Sequence, residues 1–193
     1  MLFGIVLALA LTSVPLAGGR LTALADVRLR AVWLVLAAIV LQTAIITVVP
    51  GGSPWLHRTV HVASYVLLAV FLVVNRRFPY VWLVALGGAL NVLAIVANGG
   101  VMPASARALE GAGMRPELSG FTNSTALSHP HLLPLGDVFW APAWMPGANV
   151  FSVGDVLILA GAFLALHRIC GSRLPGRRRA VPAEPVAPAE PVA

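Results

Sequence analysis

The sequence has a single cysteine, Cys170, and few charged residues, and each shortage restricts the class of protein. One cysteine excludes an intrachain disulfide. Charged residues make up 10% of the 193 residues, while apolar residues make up 59%. So few charges do not cover the surface of a soluble domain. The composition therefore predicts a polytopic membrane protein.

Lysine is also absent, so all thirteen basic residues are arginine, and the formal net charge is +6. A net positive charge of this kind can indicate a nucleic-acid-binding protein. The arginines instead lie beside apolar runs, as in the cytoplasmic loops of membrane proteins. We therefore expect the lipid bilayer, and no nucleic acid, as the partner. These arginines are Arg20, Arg28, Arg30, Arg76, Arg77, Arg168, Arg173 and Arg177–Arg179.

Five apolar runs approach the length of about 20 residues that a helix needs to cross a bilayer. With the arginine-rich linkers in the cytoplasm, the N-terminus lies outside and the C-terminus inside. Arginines follow the first run and none precedes it, which favours a retained helix over a cleaved signal peptide. The predicted fold class is an all-α membrane protein of five transmembrane helices, at residues 2–17, 31–49, 60–74, 80–97 and 151–166.

Residues 98–149 form a long hydrophilic insert on the outer side, between the fourth and fifth spans. The insert contains apolar pieces that disordered segments lack, so we expect a structured outer loop that folds over the bundle. A short helix is predicted at residues 104–110. Residues 1–170 then form the membrane domain. Residues 171–193 are Arg-rich and then Pro-rich, with PAEPVA twice in succession, and are predicted to be a disordered cytoplasmic tail.

Asp137 and Asp155 are the main candidates for chemistry, because an ionisable group at membrane depth is costly. The turn residues between them allow both carboxylates to reach one place at the outer face. Two adjacent carboxyls share a proton and can supply a general base and a general acid. The alternative is structural: Ser152 and Asp155 have the spacing of a capping box at the start of the last helix. Both hypotheses stay open on spacing alone.

Three segments resemble the last two membrane helices of the lipoprotein signal peptidases: LGGALN at 86–91, LGDVF at 135–139 and NVFSVGD at 149–155. The resemblance implies that Asp137 and Asp155 are a catalytic aspartyl dyad and that Asn91 lines the site. The Asp-Arg pair that follows the asparagine in that family is absent, since Asn91 is followed by VLAIVAN. That family also has four helices rather than five.

The combination of NGGVMP, GDVF and NVFSVGD in a five-span protein more nearly resembles an uncharacterised bacterial family classed as a domain of unknown function. This resemblance implies a multi-pass protein of the bacterial cytoplasmic membrane. It implies no known activity.

The histidines offer a competing site on the outer side. His57 and His61 have the i, i+4 spacing of metal ligands, and His129 and His131 lie in the outer loop. Together they could hold a metal ion or haem. The alternative is that they are interfacial and turn residues. His167, which lies among arginines, is expected to be solvated at the lipid headgroups.

Three hypotheses remain. The first is an aspartyl-type membrane hydrolase, or a degenerate relative, that acts on a peptide or lipid-linked substrate entering from the outer leaflet. The second is a non-catalytic assembly or ligand-binding subunit, and the third is an outer-face metal or haem binder. The primary expectation includes no cofactor, and the oligomeric state stays open. The predicted pocket is lined by Asn91, Asn98, Asn149 and Ser152.

Overall fold

The computed structural model describes residues 2–48, 53–114, 124–125 and 127–173. The predicted tail from residue 174 onward lies outside the described residues. The described part is mostly helical, as predicted. Its α-helices are α1 Leu2–Leu16, α2 Val32–Thr47, α3 Pro54–Val74, α4 Val81–Ala97, α5 Ala106–Gly111 and α6 Val153–Ile169. Short 3-10 helices lie at Leu21–Asp26 and Leu133–Leu135.

The five long helices lie at the positions of the five predicted helices, with differences at their ends. The largest difference is at α3, which begins at Pro54, six residues before the predicted span. Proline fits the first turn of a helix, because its missing N–H has no partner there. No helix in the described ranges combines the length and the apolar character needed to cross a membrane.

The segment between α4 and α6 contains short strands, which the all-α prediction did not include. These strands are β1 Met102–Pro103, β2 Ser124–Thr125, β3 Asp137–Trp140 and β4 Val150–Ser152. The β1 and β2 strands pair in parallel, and β3 and β4 pair antiparallel. Strands of two to four residues are too short to show the alternation from which a strand is predicted.

We call the described residues from 98 to 152 the cap. The cap packs on the end of the helical bundle, as predicted: Met102 joins Ala94 and Ile95 of α4 in one buried cluster, against which Leu135 packs. The short helix predicted after Pro103 is confirmed as α5. Its N-cap is Ser105, whose hydroxyl accepts from the Ala108 N–H at 3.1 Å.

Helices α4 and α6 pack closely through glycines. A Cβ on Gly87 would lie 2.9 Å from the Ile158 side chain, and a Cβ on Gly161 would lie 2.8 Å from that of Val84. Small residues let two helix backbones approach in this way, so close packing is confirmed for Gly87. The adjacent Gly88 faces open space.

The arginine-bearing linkers meet at one end of the bundle, which we call the arginine end. The side chain of Asn75 accepts from the Arg30 N–H at 2.9 Å and donates to the Arg30 carbonyl at 2.9 Å. The Arg20 N–H donates to the Cys170 carbonyl at 2.9 Å, and the Arg173 N–H donates to the Ala17 carbonyl at 2.8 Å. These contacts join the linkers before α2, after α3 and after α6, which is the arrangement that the arginine pattern predicts.

His167 corrects one expectation, because its ring is buried rather than solvated. It is 1% exposed, its Nε2 lies 3.0 Å from the hydroxyl of Ser13, and the ring of Phe163 packs against it at 4.3 Å. Helix α1 contacts α6 and covers this face, with Ser13 against the His167 ring. The residues near His167 in the sequence all belong to α6, so the sequence pattern does not show that α1 packs against this histidine.

Candidate functional site

Three side chains at the start of α6 form a closed hydrogen-bond network, which we call the polar junction: Asn91, Ser152 and Asp155. The amide nitrogen of Asn91 donates to Asp155 Oδ1 at 2.8 Å, and the Ser152 hydroxyl donates to Asn91 Oδ1 at 2.8 Å. The Ser152 N–H donates to Asp155 Oδ2 at 3.0 Å, and the Asp155 N–H donates to the Ser152 hydroxyl at 3.0 Å. Each carboxylate oxygen therefore has its own donor.

The local sequence explains this arrangement. Ser152 ends β4 in an extended conformation and is the N-cap of α6, with Asp155 at the third helical position. The two residues form a complete capping box, which confirms the structural prediction for this pair. A carboxylate in the first turn also opposes the positive end of the helix dipole.

A glycine allows Asn91 to reach this helix start. A Cβ on Gly154 would collide with the Asn91 side chain and would lie 2.6 Å from the Gly87 carbonyl oxygen. The third side chain of the network therefore comes from α4 only because residue 154 has no side chain. Asn91 is buried, as is Ser152.

Asp137 reaches the same region from the cap. It begins β3 opposite Ser152 in the antiparallel pair and is 4% exposed. Its carbonyl accepts from the Ser105 N–H at 3.0 Å, so its position is fixed from a second side. Residues directly opposite in an antiparallel pair are close neighbours. The structure thus places Asp137 opposite Ser152, which is itself hydrogen-bonded to Asp155.

Tyr65 of α3 is a further member of this region that the sequence analysis missed. Its phenol lies within electrostatic range of both Asp155 and Asp137. The buried His61 packs edge-on against its ring, with centroids 5.0 Å apart. Ser64 is also buried, and its hydroxyl accepts from the Gln42 amide at 2.7 Å. The polar residues His61, Ser64 and Tyr65 recur at helical spacing in an apolar run, a signal that could have identified this face.

The polar junction lies below the cap end of the bundle. Asn91 precedes the end of α4 by six residues, a rise of about 9 Å. On α3, Arg58 lies against Gly99 and Gly100 just beyond α4. Tyr65 follows Arg58 by seven residues, a rise of about 10 Å. Asn91 on α4 and Tyr65 on α3 therefore lie at a similar depth, about 10 Å below the cap end of the bundle. Strands β3 and β4 extend the cap to this depth.

The two other predicted pocket residues do not join the polar junction through any described hydrogen bond. The side chain of Asn98 donates to the carbonyls of Ala94 and His131, both at 2.7 Å, and accepts from the His131 N–H at 2.8 Å. It therefore ties the cap to the end of α4. Asn149 precedes β4, and its carbonyl accepts from the Ala141 N–H at 2.8 Å.

The histidines proposed as metal or haem ligands lie in different surroundings from one another. His61 is buried beside Tyr65, while His129 and His131 are exposed on the cap. The side chain of His57 lies outside the described part of the structure. Among the residues that the structure describes, no group of three or more His, Cys, Asp or Glu side chains could hold a metal ion.

Comparison with known proteins places the chain in a family. Residues 26–167 match a family of unknown function, DUF5317. The chain belongs to the DUF5317 family. The matched residues include every member of the polar junction, together with Asp137 and Tyr65.

The chain is also similar to an uncharacterized protein of Thermotoga maritima, with 32% identity over 113 residues. This match covers 58% of the chain and 64% of the length of the Thermotoga protein. No solved structure matches the chain.

Proposed function

We propose that the protein is a non-catalytic integral membrane protein of the bacterial cytoplasmic membrane, in which the polar junction holds the cap in the bundle. The cap would then present a rigid outer surface for assembly or ligand binding. The observation that carries the proposal is the closed hydrogen-bond network of the polar junction. Both oxygens of Asp155 accept hydrogen bonds, and Asn91 and Ser152 use their remaining groups on each other.

The membrane location is supported by the apolar surface of the bundle. Large apolar side chains remain more than half exposed on the long helices, a surface that is unfavourable in water. They include Leu7, Leu9 and Leu16 of α1, Leu36, Ile39 and Val40 of α2, Val66 and Val73 of α3, and Leu93 and Val96 of α4. Hydrocarbon would cover such a surface without cost.

Tryptophans at both ends of the bundle also support this location. Trp33 and Trp82 are exposed near the arginine end, and Trp55 and Trp144 are exposed near the cap end. Tryptophan is enriched at both membrane interfaces. Helices of 15 to 17 residues rise only about 23 to 26 Å. The proposal therefore requires local thinning of the bilayer around the bundle.

The depth of the polar junction fits the same proposal. Irregular backbone at membrane depth is tolerated only where protein covers it. Gly136, Asp137 and Ser152 are buried, and the two ends of the irregular segment pair with each other as β3 and β4.

The test of the proposal combines membrane extraction with two variants. The wild-type protein should stay in the membrane pellet after alkaline carbonate washing. Asp155→Asn and Asp137→Asn should lower the amount of folded protein in the membrane, because Asp155 joins β4 and α6 to Asn91 of α4 and Asp137 is buried opposite Ser152. Wild-type protein in the carbonate supernatant would contradict the membrane location. Full accumulation of both variants would contradict the structural role of the acids.

A second candidate is the aspartyl-type hydrolase that the resemblance to lipoprotein signal peptidases implies. It is favoured by one observation: the Tyr65 phenol lies within electrostatic range of both Asp155 and Asp137, and Asp137 is buried. Here Asp137→Asn should abolish cleavage of a peptide or lipid-linked substrate while expression is unchanged. Reduced accumulation of the variant, with no cleavage by the wild-type protein, would favour the structural proposal.

A further inference from the structure

A groove between α1 and α6 is a feature that the proposed function leaves unexplained. It has a volume of about 780 Å³, within the range of about 300 to 1,000 Å³ that is typical of ligand sites. Leu9, Ala10 and Ser13 line it from α1, and Ala162 and Leu166 line it from α6. Leu24 of the 3-10 helix that follows α1 also lines it.

The lining of this groove selects an apolar occupant. Its two hydroxyl groups already have partners within α1: Ser13 donates to the Ala10 carbonyl at 2.7 Å, and Thr12 to the Ala8 carbonyl at 2.9 Å. The remaining lining residues are Leu, Val, Ala and Phe. An occupant therefore makes only van der Waals contacts there, as a hydrocarbon chain does.

Two exposed arginines, Arg20 and Arg173, lie near the end of the groove. Arg20 lies four residues beyond the lining residue Leu16, and Arg173 lies seven residues beyond the lining residue Leu166. Backbone hydrogen bonds join the segments that carry Arg20 and Arg173. Guanidinium groups bind phosphate oxygens well. An apolar groove that ends in positive charge is complementary to an amphiphile with an anionic head.

We propose that this groove binds one acyl chain of an anionic phospholipid from the inner leaflet, with the lipid phosphate held by Arg20 and Arg173. The inference rests on the membrane location proposed above. It commits to a bilayer phospholipid rather than to a partner helix, because the charges lie at one end of an otherwise apolar groove.

The test is native mass spectrometry of the detergent-purified protein, titrated with phosphatidylglycerol or phosphatidylcholine of identical acyl chains. The protein should retain phosphatidylglycerol preferentially. The double variant Arg20→Gln/Arg173→Gln should lose that preference, because each substitution should lower the affinity for phosphatidylglycerol by about fivefold. The matched control is Arg76→Gln/Arg77→Gln, which removes two exposed arginines at the same end from the linker between α3 and α4. The control should keep the preference.

A third variant, Ala162→Phe, fills the groove and should weaken binding of both lipids. Equal losses in the two arginine variants would overturn the proposal, because they would indicate diffuse charge attraction. Unchanged binding by Ala162→Phe would also overturn it. A wild-type dimer that Ala162→Phe dissociates would assign the groove to a second copy instead. Carbonate extraction of the same membranes reports separately on the membrane location.

Discussion

Asp155 is the residue whose surroundings say most about its role. One of its oxygens accepts from a backbone N–H and the other from a side-chain amide, both neutral donors. Such bonds hold the carboxylate in one rotamer. A side chain used in this way defines the start of α6 and its contact with α4.

The Asp155→Asn change tests this role, because an amide has one acceptor oxygen and cannot accept both hydrogen bonds that the carboxylate accepts. We expect a loss of about 1 to 2 kcal/mol in the free energy of unfolding from the missing cap and the unsatisfied partner. Thermal unfolding in detergent measures the difference. The matched control is Asp26→Asn, at an exposed acid. A variant at position 155 that is as stable as this control would argue against the structural role.

Cys170 is buried, and burial raises the pKa of its thiol. The thiolate is the reactive form, so we expect maleimide to label Cys170 slowly at neutral pH in the folded protein. Ala25→Cys in a Cys170→Ser background gives an exposed reference thiol on the neighbouring 3-10 helix. Labelling of Cys170 as fast as this reference would contradict its burial.

At the scale of elements, the contact between α4 and α6 depends on which glycines face the partner helix. Gly154 meets both Asn91 and Gly87, whereas Gly88 meets nothing within 4 Å. Gly154→Ala should therefore cost about 1 to 3 kcal/mol, because an added methyl group forces the two helices apart. Gly88→Ala should be neutral or stabilising by up to about 1 kcal/mol, because alanine is the better helix former.

Thermal unfolding of the two variants, side by side, checks this prediction. Both changes add the same methyl group to a helical glycine, so their difference isolates the helix contact. A Gly154→Ala variant as stable as Gly88→Ala would mean that α4 and α6 do not approach each other at this point.

The sequence predicts some of these elements well and others poorly. The long helices follow from apolar runs, and the capping box follows from the spacing of Ser152 and Asp155, because both signals are local. The short strands of the cap could not be predicted, since each gains its partner from a distant part of the chain. The contact of Ser13 with His167 and the position of Tyr65 near the two acids also join distant parts of the chain, so the sequence does not show them either.

At the scale of the whole molecule, charge and polarity are separated along the bundle. Arg20, Arg28, Arg30, Arg76, Arg77 and Arg173 belong to linkers that meet at one end. The cap lies at the other end, and the polar junction lies beneath it. This separation could be predicted from the sequence, because it needs only the order of apolar runs and arginines. The depth of the junction could not, because it depends on how far α6 is offset along α4.

The central claim is that the bundle crosses the bacterial cytoplasmic membrane with the arginine end inside and the cap outside. The most direct measurement uses reporters in cells: green fluorescent protein or alkaline phosphatase fused after Arg179, and the same reporters fused after Gly113 in the cap. We expect fluorescence and no phosphatase activity after Arg179, and phosphatase activity without fluorescence after Gly113. Phosphatase activity after Arg179, or fluorescence from a soluble fraction, would contradict the claim.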